Sequence, residues 1–275
     1  MFALDAKTMQ RIAPVVRRVV IVDPNPAAAR LLTDLLKGFG SREVAVEGEE
    51  ARVLDLAREM EPGLILTERT GPKLDGEALV RRIRRSSLSC RRAPIIMVTA
   101  EATASAIRGA RDSGVHEFLR KPFTSGDLQR RIENLATKPR DWVEAVGYVG
   151  PDRRRFNSDD YAGPQKRKAD KPRSGPESDE AVKDQAMRIL FSALGQFDDD
   201  PPQAVRAIKQ QAETLKALAV KTGDAPLAIA AAGLDTVLAS GAPTKAVLTA
   251  PVQAVLKLAA PETLARAGQA AASAS

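Results

Sequence analysis

Residues 64–76 run Leu-Ile-Leu-Thr-Glu-Arg-Thr-Gly-Pro-Lys-Leu-Asp-Gly. Leu64-Ile65-Leu66 is a short unbroken apolar run, the pattern of a strand buried on both faces. Glu68 closes it, and Pro72 with Asp75-Gly76 turns the chain into a new amphipathic segment, Glu77 to Arg85. The same unit recurs on either side. Val19-Val20-Ile21-Val22 precedes a helix over Ala27 to Gly40 with Leu31, Leu32, Leu35 and Leu36 on one face. A weaker strand, Glu43 to Val46, precedes a helix over Glu49 to Met60, with Val53, Leu54 and Leu56 inward and a stop at Pro62. Ile95-Ile96-Met97-Val98 precedes a short helix near Ala102 to Arg111, and Glu117-Phe118-Leu119 precedes a helix over Ser125 to Leu135. Five βα units in about 120 residues imply an α/β domain over residues 15–137, a doubly wound five-stranded parallel sheet. In such sheets function gathers at the carboxyl ends of the strands.

The rest of the chain is different. Residues 138–178 are rich in Pro, Gly, Arg, Lys and Asp and lose apolar periodicity, which reads as a basic, disordered linker. A short repeat lies in it: Tyr148-x-Gly150-Pro151-x followed by Arg153-Arg154-Arg155, then Tyr161-x-Gly163-Pro164-x followed by Lys166-Arg167-Lys168. The repeat is either a pair of linear docking motifs or a solvated tether. Residues 179–275 are helical. One stripe carries Val182, Ala186, Ile189, Leu190, Ala193 and Phe197; a second, opened by Pro201-Pro202, carries Val205, Ile208, Ala212, Leu215 and Ala219. Asp224 caps a third helix, with Leu227, Ala231, Leu234 and Leu238, that ends at Gly241. Residues 243–259 are helical with a break or kink at Pro251, and the Ala-rich tail after Pro261 is a fifth helix or frays. This is the pattern of an all-α bundle.

Composition narrows the function. A single cysteine, Cys90, leaves no disulfide and no multi-cysteine metal site, and points to a reducing compartment. The apolar stretch Ile12 to Val22 is broken by Arg17-Arg18 and is too short to span a bilayer, so we read the chain as cytoplasmic, without a membrane partner. The net charge of +7 is spread out; its densest cluster is Arg81, Arg82, Arg84, Arg85, Arg91 and Arg92. No aromatic interleaves with these arginines, which favours a solvated helix end over a nucleic-acid platform. The single histidine, His116, reads as a surface turn residue.

Four features fall at strand ends: Asp23; Glu68 with Pro72, Asp75 and Gly76; Thr99 with Ala100; and Lys121 with Pro122. As an ordered set they resemble the receiver domains of two-component response regulators, over about residues 15–137. The resemblance implies a flavodoxin-like fold and a cis peptide at Lys121–Pro122. It implies that Asp23, Thr99 and Lys121 are receiver-site residues and that Phe118 stands at the aromatic switch position. It also sets Glu68 at the phosphoacceptor position, where the family carries aspartate. The second member of the family's acidic pair is Pro24 here. The implied Mg²⁺ site is therefore reduced to Asp23, with Glu68 if any, so weak Mg²⁺ is the most expected and no cofactor is required. Glutamate carries its oxygen one methylene further out, which spoils in-line attack. The expectation is a pseudo-receiver with no efficient aspartyl-phosphate chemistry. In it Lys121 pairs with Glu68 and Thr99 donates a hydrogen bond to Glu68, a phosphomimetic arrangement; the alternative is a plain residual ion pair.

In the second half, Ala212-Glu213-Thr214-Leu215-Lys216-Ala217 resembles the His-Thr-Leu-Lys-Gly core of histidine-phosphotransfer helices, with Glu213 at the histidine position. The implied role is non-enzymatic signalling in a phosphorelay, through protein–protein interaction with a histidine kinase, phosphotransferase or downstream regulator. Two alternatives stay open: a DNA- or RNA-binding regulator with a helical output, and a conventional receiver phosphorylated at a non-standard residue. Against nucleic acid, residues 201–275 hold seven Lys/Arg and four Asp/Glu, scattered, with no basic recognition helix.

Overall fold

The computed structural model describes residues 6–153, 176–241, 243–260 and 263. They divide into two compact units. One runs to Val143 and takes in the hairpin residues from Tyr148; the other takes Glu144–Gly147 and the helices that follow.

In the first unit, α1 (Ala6–Val16) precedes β1 (Arg18–Val22), α2 (Pro26–Gly38), β2 (Glu43–Glu47), α3 (Glu50–Met60) and β3 (Leu64–Thr67). Two short antiparallel strands, β4 (Thr70–Gly71) and β5 (Leu74–Asp75), lead into α4 (Gly76–Arg85) and a 3₁₀ turn at Ser89–Arg92. Then come β6 (Ile95–Thr99), α5 (Ala104–Ser113), β7 (Glu117–Arg120) and α6 (Ser125–Thr137). The main sheet has the order β2-β1-β3-β6-β7, all parallel. Alternate residues feed two cores. Val19, Ile21, Leu64, Leu66, Ile96, Val98 and Leu119 pack toward Leu32, Leu36, Leu128 and Ile132. Val20, Val22, Ile65, Ile95, Met97 and Phe118 pack toward Val53, Leu79, Ile83 and Ala110. A sheet covered on both faces explains the unbroken apolar runs.

Several local readings are corrected. Ahead of β1 lies a helix that the sequence did not announce: Ile12 and Val16 are buried on α1, and β1 starts at Arg18. Leu31 is exposed on the rim of α2, because the buried stripe of that helix is Ala29, Leu32 and Leu36. Part of the stretch read as linker folds as a two-stranded sheet of β8 (Trp142–Glu144) and β9 (Val149–Pro151). What fixes it to the first unit is close backbone approach at Gly114, φ +102°, where a Cβ would fall 2.7 Å from the Val149 carbonyl. Tyr148 of the first repeat is buried, its hydroxyl donating to the Pro151 carbonyl (2.6 Å), with Arg153 4.4 Å from its ring centre. The second repeat, Tyr161 to Lys168, lies outside the described residues.

The second unit contains α7 (Pro176–Gly195), α8 (Pro201–Thr222), α9 (Ala225–Ala239) and α10 (Lys245–Leu256). Each packs on the next, and α10 returns to α7. The core is Leu190, Phe197, Ile208, Leu215, Leu227, Leu234, Leu248 and Val252, with alanines between. Val182 does not join it; packing on α7 begins at Ala186. Pro251 sits within α10. Gln203 Nε2 donates to the buried Glu144 carboxylate (3.1 Å). Of the expected fifth helix only Thr263 is described, its hydroxyl donating to Asp184 (2.7 Å).

Candidate functional site

The strand order reverses direction between β1 and β3, which opens a crevice at their carboxyl ends. Val22 is in register with Thr67, so Asp23 and Glu68 leave the sheet side by side, and the Glu68 N–H donates to the Val22 carbonyl (2.8 Å). From the far side, the Lys121 N–H donates to the Thr99 carbonyl (2.8 Å), which brings the end of β7 against the end of β6. The Lys121–Pro122 peptide is cis.

Lys121 reaches back across the crevice. Its Nζ donates to Glu68 Oε2 (2.7 Å) and to Asp23 Oδ2 (2.8 Å). The side chains are shielded: Asp23 is 3% exposed, Glu68 13% and Lys121 22%. The remaining carboxylate oxygens are also held. Asp23 Oδ1 accepts from the Asn25 N–H (2.9 Å), and Glu68 Oε1 from the Arg69 N–H (2.8 Å). Burial pulls the Lys121 ammonium down, but its hydrogen bonds to Asp23 and Glu68 outweigh that and leave its pKa raised.

Pro24 and the glycines shape the surrounding loops. A Cβ at Gly71 would fall 2.5 Å from Pro24 Cγ, so the proline ring fills the space beside Gly71. A Cβ at Gly76 would fall 2.2 Å from the Glu68 carbonyl oxygen. The Asp75-Gly76 pair therefore has two local tasks: Asp75 caps α4 through the Ala78 N–H (3.0 Å), and Gly76 admits the Glu68 backbone.

The donor set does not suit an octahedral divalent ion. Asp23 and Glu68 are the carboxylates at the crevice, an ammonium already lies between them, and Pro24 offers no oxygen from a side chain. Among the described residues no group of three or more His, Cys, Asp or Glu side chains could hold a metal.

The structure thus brings Asp23, Glu68 and Lys121 together. Thr99 stands beside them, but its expected bond to Glu68 is absent: the Thr99 hydroxyl accepts from the Glu101 N–H (3.3 Å). Glu68 oxygens are already engaged by Lys121 and Arg69. Phe118 is buried in the second of the two receiver cores, beside Met97 and Ala110. Glu213 is on the exposed side of α8.

Two features lie beyond what sequence reading anticipated. Arg69 donates through Nε to Glu77 Oε1 (2.9 Å) and through Nη1 to Glu101 Oε2. Arg84, grouped above with a solvated cluster, is fully buried. It donates to the carbonyls of Gly114 (2.9 Å), Arg91 (2.6 Å) and Ala93 (2.8 Å), and its Nη2 faces His116 Nδ1 at 3.1 Å. Trp142 joins these arginines from the hairpin, with the guanidinium carbons of Arg84, Arg91 and Arg92 5.3, 5.9 and 5.5 Å from its ring centre. His116 is half-buried against Arg84; desolvation, with Arg84 and Arg140 nearby, holds its pKa well below the usual range.

A doubly wound sheet with a carboxylate pair and a lysine at the switch point defines a receiver-type signalling domain. Comparison with known proteins agrees. Residues 19–133 match the response regulator receiver domain. The transcriptional regulatory protein PdtaR of Mycobacterium tuberculosis is 30% identical over 146 residues, which cover 53% of this chain and 69% of PdtaR. The DNA-binding response regulator MtrA of Mycolicibacterium smegmatis is 31% identical over 116 residues, 42% of this chain and 49% of MtrA. The chain thus spans about half the length of MtrA. The receiver domain of the sensor histidine kinase PA1611 from Pseudomonas aeruginosa is 28% identical, covering 44% of this chain and 96% of that domain, with a TM-score of 0.40. The chain belongs to the response regulator receiver family. No described helix is long and apolar enough to cross a membrane.

Proposed function

We propose that this chain is a two-component signalling protein whose receiver works by binding partner proteins, without phosphoryl transfer to position 68. The observation that carries the reading is the Lys121 ammonium between Glu68 and Asp23, at 2.7 and 2.8 Å. It supplies from within the chain the positive charge that a divalent ion would bring. The substituted nucleophile and Pro24 at the second acidic position point the same way. Charge-assisted bonds to both carboxylates hold the loops in one arrangement, so the domain presents a constant surface to a kinase, phosphotransferase or downstream regulator. It acts as a binding module and not as an enzyme.

The test is incubation with a small-molecule phosphodonor and Mg²⁺, followed by intact mass. Wild type is expected to gain no phosphoryl group, and Glu68→Asp combined with Pro24→Asp to regain it. Stoichiometric acyl phosphate on wild type would overturn the reading and favour a conventional receiver with a glutamate acceptor. For the helical unit, Glu213 at a histidine-like position supports a phosphotransfer-like bundle that cannot itself carry phosphate. A nucleic-acid output is the second reading, supported by the DNA binding in the name of MtrA and by Trp142 beside Arg91 and Arg92. Salt-dependent retention on DNA or RNA by the full chain separates it from partner-protein binding.

A further inference from the structure

Glu68 and Thr99 stand at the ends of adjacent strands, yet among the described residues no hydrogen bond joins their side chains. The connection between their loops runs through the next residue. The Arg69 N–H holds Glu68 Oε1 (2.8 Å), while its guanidinium reaches away from the crevice. Nε donates to Glu77 Oε1 (2.9 Å) in the first turn of α4, and Nη1 donates to Glu101 Oε2. Glu101 is two residues beyond Thr99, and its own N–H donates to the Thr99 hydroxyl (3.3 Å). Glu77 is further engaged by Arg81 Nη2 (3.2 Å) and lies against α5, where a Cβ at Gly109 would fall 2.5 Å from Glu77 Oε1. One guanidinium therefore joins the end of β3, the start of α4 and the loop that leads from β6 into α5.

We propose that Arg69 is a positioning residue that fixes the Thr99–Glu101 loop and α5 against the Glu68 side of the crevice. The proposal rests on the reading of position 68 as unphosphorylated: with no phosphoryl group to bridge Glu68 and Thr99, the ion-pair clasp makes that connection. Arginine suits the task because its planar fork can serve two carboxylates at once, which a lysine ammonium on one flexible stem does less well. The two arms differ. Arg69 and Glu77 are 20% and 16% exposed and form the shielded arm; Glu101 is 51% exposed and forms the labile one. Salt screens the outer arm first. The loop after β6 is thus the part of the receiver that can open while the sheet and α4 stay in place.

Hydrogen exchange read by mass spectrometry on the full chain tests this. In Glu101→Gln and in Arg69→Gln, peptides covering residues 99–113 are expected to exchange about fivefold faster than in wild type. Peptides from β1, β3 and the helical unit are expected to be unchanged. The double variant is expected to be no faster than Arg69→Gln alone, because both changes break one contact. Raised salt should speed the same peptides in wild type but not in Glu101→Gln. Glu101→Asp should restore protection in part, and Arg69→Lys should not restore both arms. Unchanged exchange in Glu101→Gln, additive effects, or acceleration spread through β1 and β3 would overturn the proposal. The two readings fail separately: acyl phosphate on wild type sinks the account of position 68, whereas unchanged exchange sinks the clasp.

Discussion

Replacing Lys121 by methionine keeps the length of the side chain and removes the charge that two shielded carboxylates share. At 2.7 and 2.8 Å, each pair is worth about 6 kcal/mol of raw Coulomb attraction at an effective dielectric near 20, and desolvation cancels most of it. Breaking a fully buried pair costs ~3–5 kcal/mol because the abandoned charge stays behind. Lys121 is 22% exposed and Glu68 13%, so water relieves part of this, and the expected loss at neutral pH is about 2 kcal/mol. Trp142 is the sole tryptophan and lies in the receiver unit, so urea unfolding followed by its fluorescence reports on that unit. The pH dependence gives the sign. The folded-state pKa of Lys121 is raised, so its contribution is complete below the unfolded lysine value of ~10.4 and is lost as pH climbs through the folded value. Wild type and Lys121→Met should therefore converge in strong alkali. Adding Glu68→Gln to Lys121→Met should restore about half of the loss at neutral pH. A neutral-pH loss below about 0.5 kcal/mol, or no rescue by Glu68→Gln, would refute the assignment of Lys121 as the internal counter-ion.

Other outcomes follow from the same geometry. Arg84→Ala strands three carbonyls, that of Gly114 fully buried, and opens a cavity, so the receiver unit should lose about 3 kcal/mol by denaturant unfolding, and Arg84→Lys about 2 kcal/mol, since an ammonium cannot reproduce the fork. His116 accepts the Ile95 N–H at 3.3 Å and its pKa is depressed, so stability should fall as pH drops below the unfolded histidine value of ~6.5, by at most ~1.4 kcal/mol per pH unit. His116→Gln should flatten that slope between pH 7 and 5. Gly76→Ala should cost about 2 kcal/mol and shift the amide resonances of residues 68–69, because a Cβ would overlap the Glu68 carbonyl. Gly71→Ala should be tolerated only once Pro24 is replaced by a smaller residue, a dependence that a double-mutant cycle reads directly.

Much of the receiver was legible in the sequence because its strands are buried on both faces. That burial demands unbroken apolar runs, and Val19–Val22, Leu64–Leu66 and Ile95–Val98 announce them. The site followed, since parallel strands place their next residues side by side. Helix α1 was missed because Ile12–Val16, cut off by Arg17-Arg18, shows too few apolar positions to declare a helical period, and Pro14 lies within it. The hairpin was missed because its anchors are tertiary: Trp142 meets Arg84, Arg91 and Arg92 from some fifty residues away in sequence. Arg84 is a different kind of miss. The buried face of α4 is Gly76, Leu79, Val80, Ile83 and Arg84, a regular helical stripe. Charge alone sent Arg84 to the surface; the 3.6-residue period, applied without regard to charge, puts it inside.

Thr99 shows where such reading runs out. Its place at the end of β6 was fixed by the order of strands, but its partner was not. On Glu68, Lys121 donates to one oxygen and the Arg69 N–H to the other. The Thr99 hydroxyl accepts from the Glu101 N–H, and the Glu101 side chain in turn pairs with Arg69. The residue that links the Glu68 and Glu101 segments is Arg69, which no motif singles out. The identities of site residues are written in local pattern and strand order. Which of them touch depends on side chains from three separate segments, and that is settled only when the segments meet.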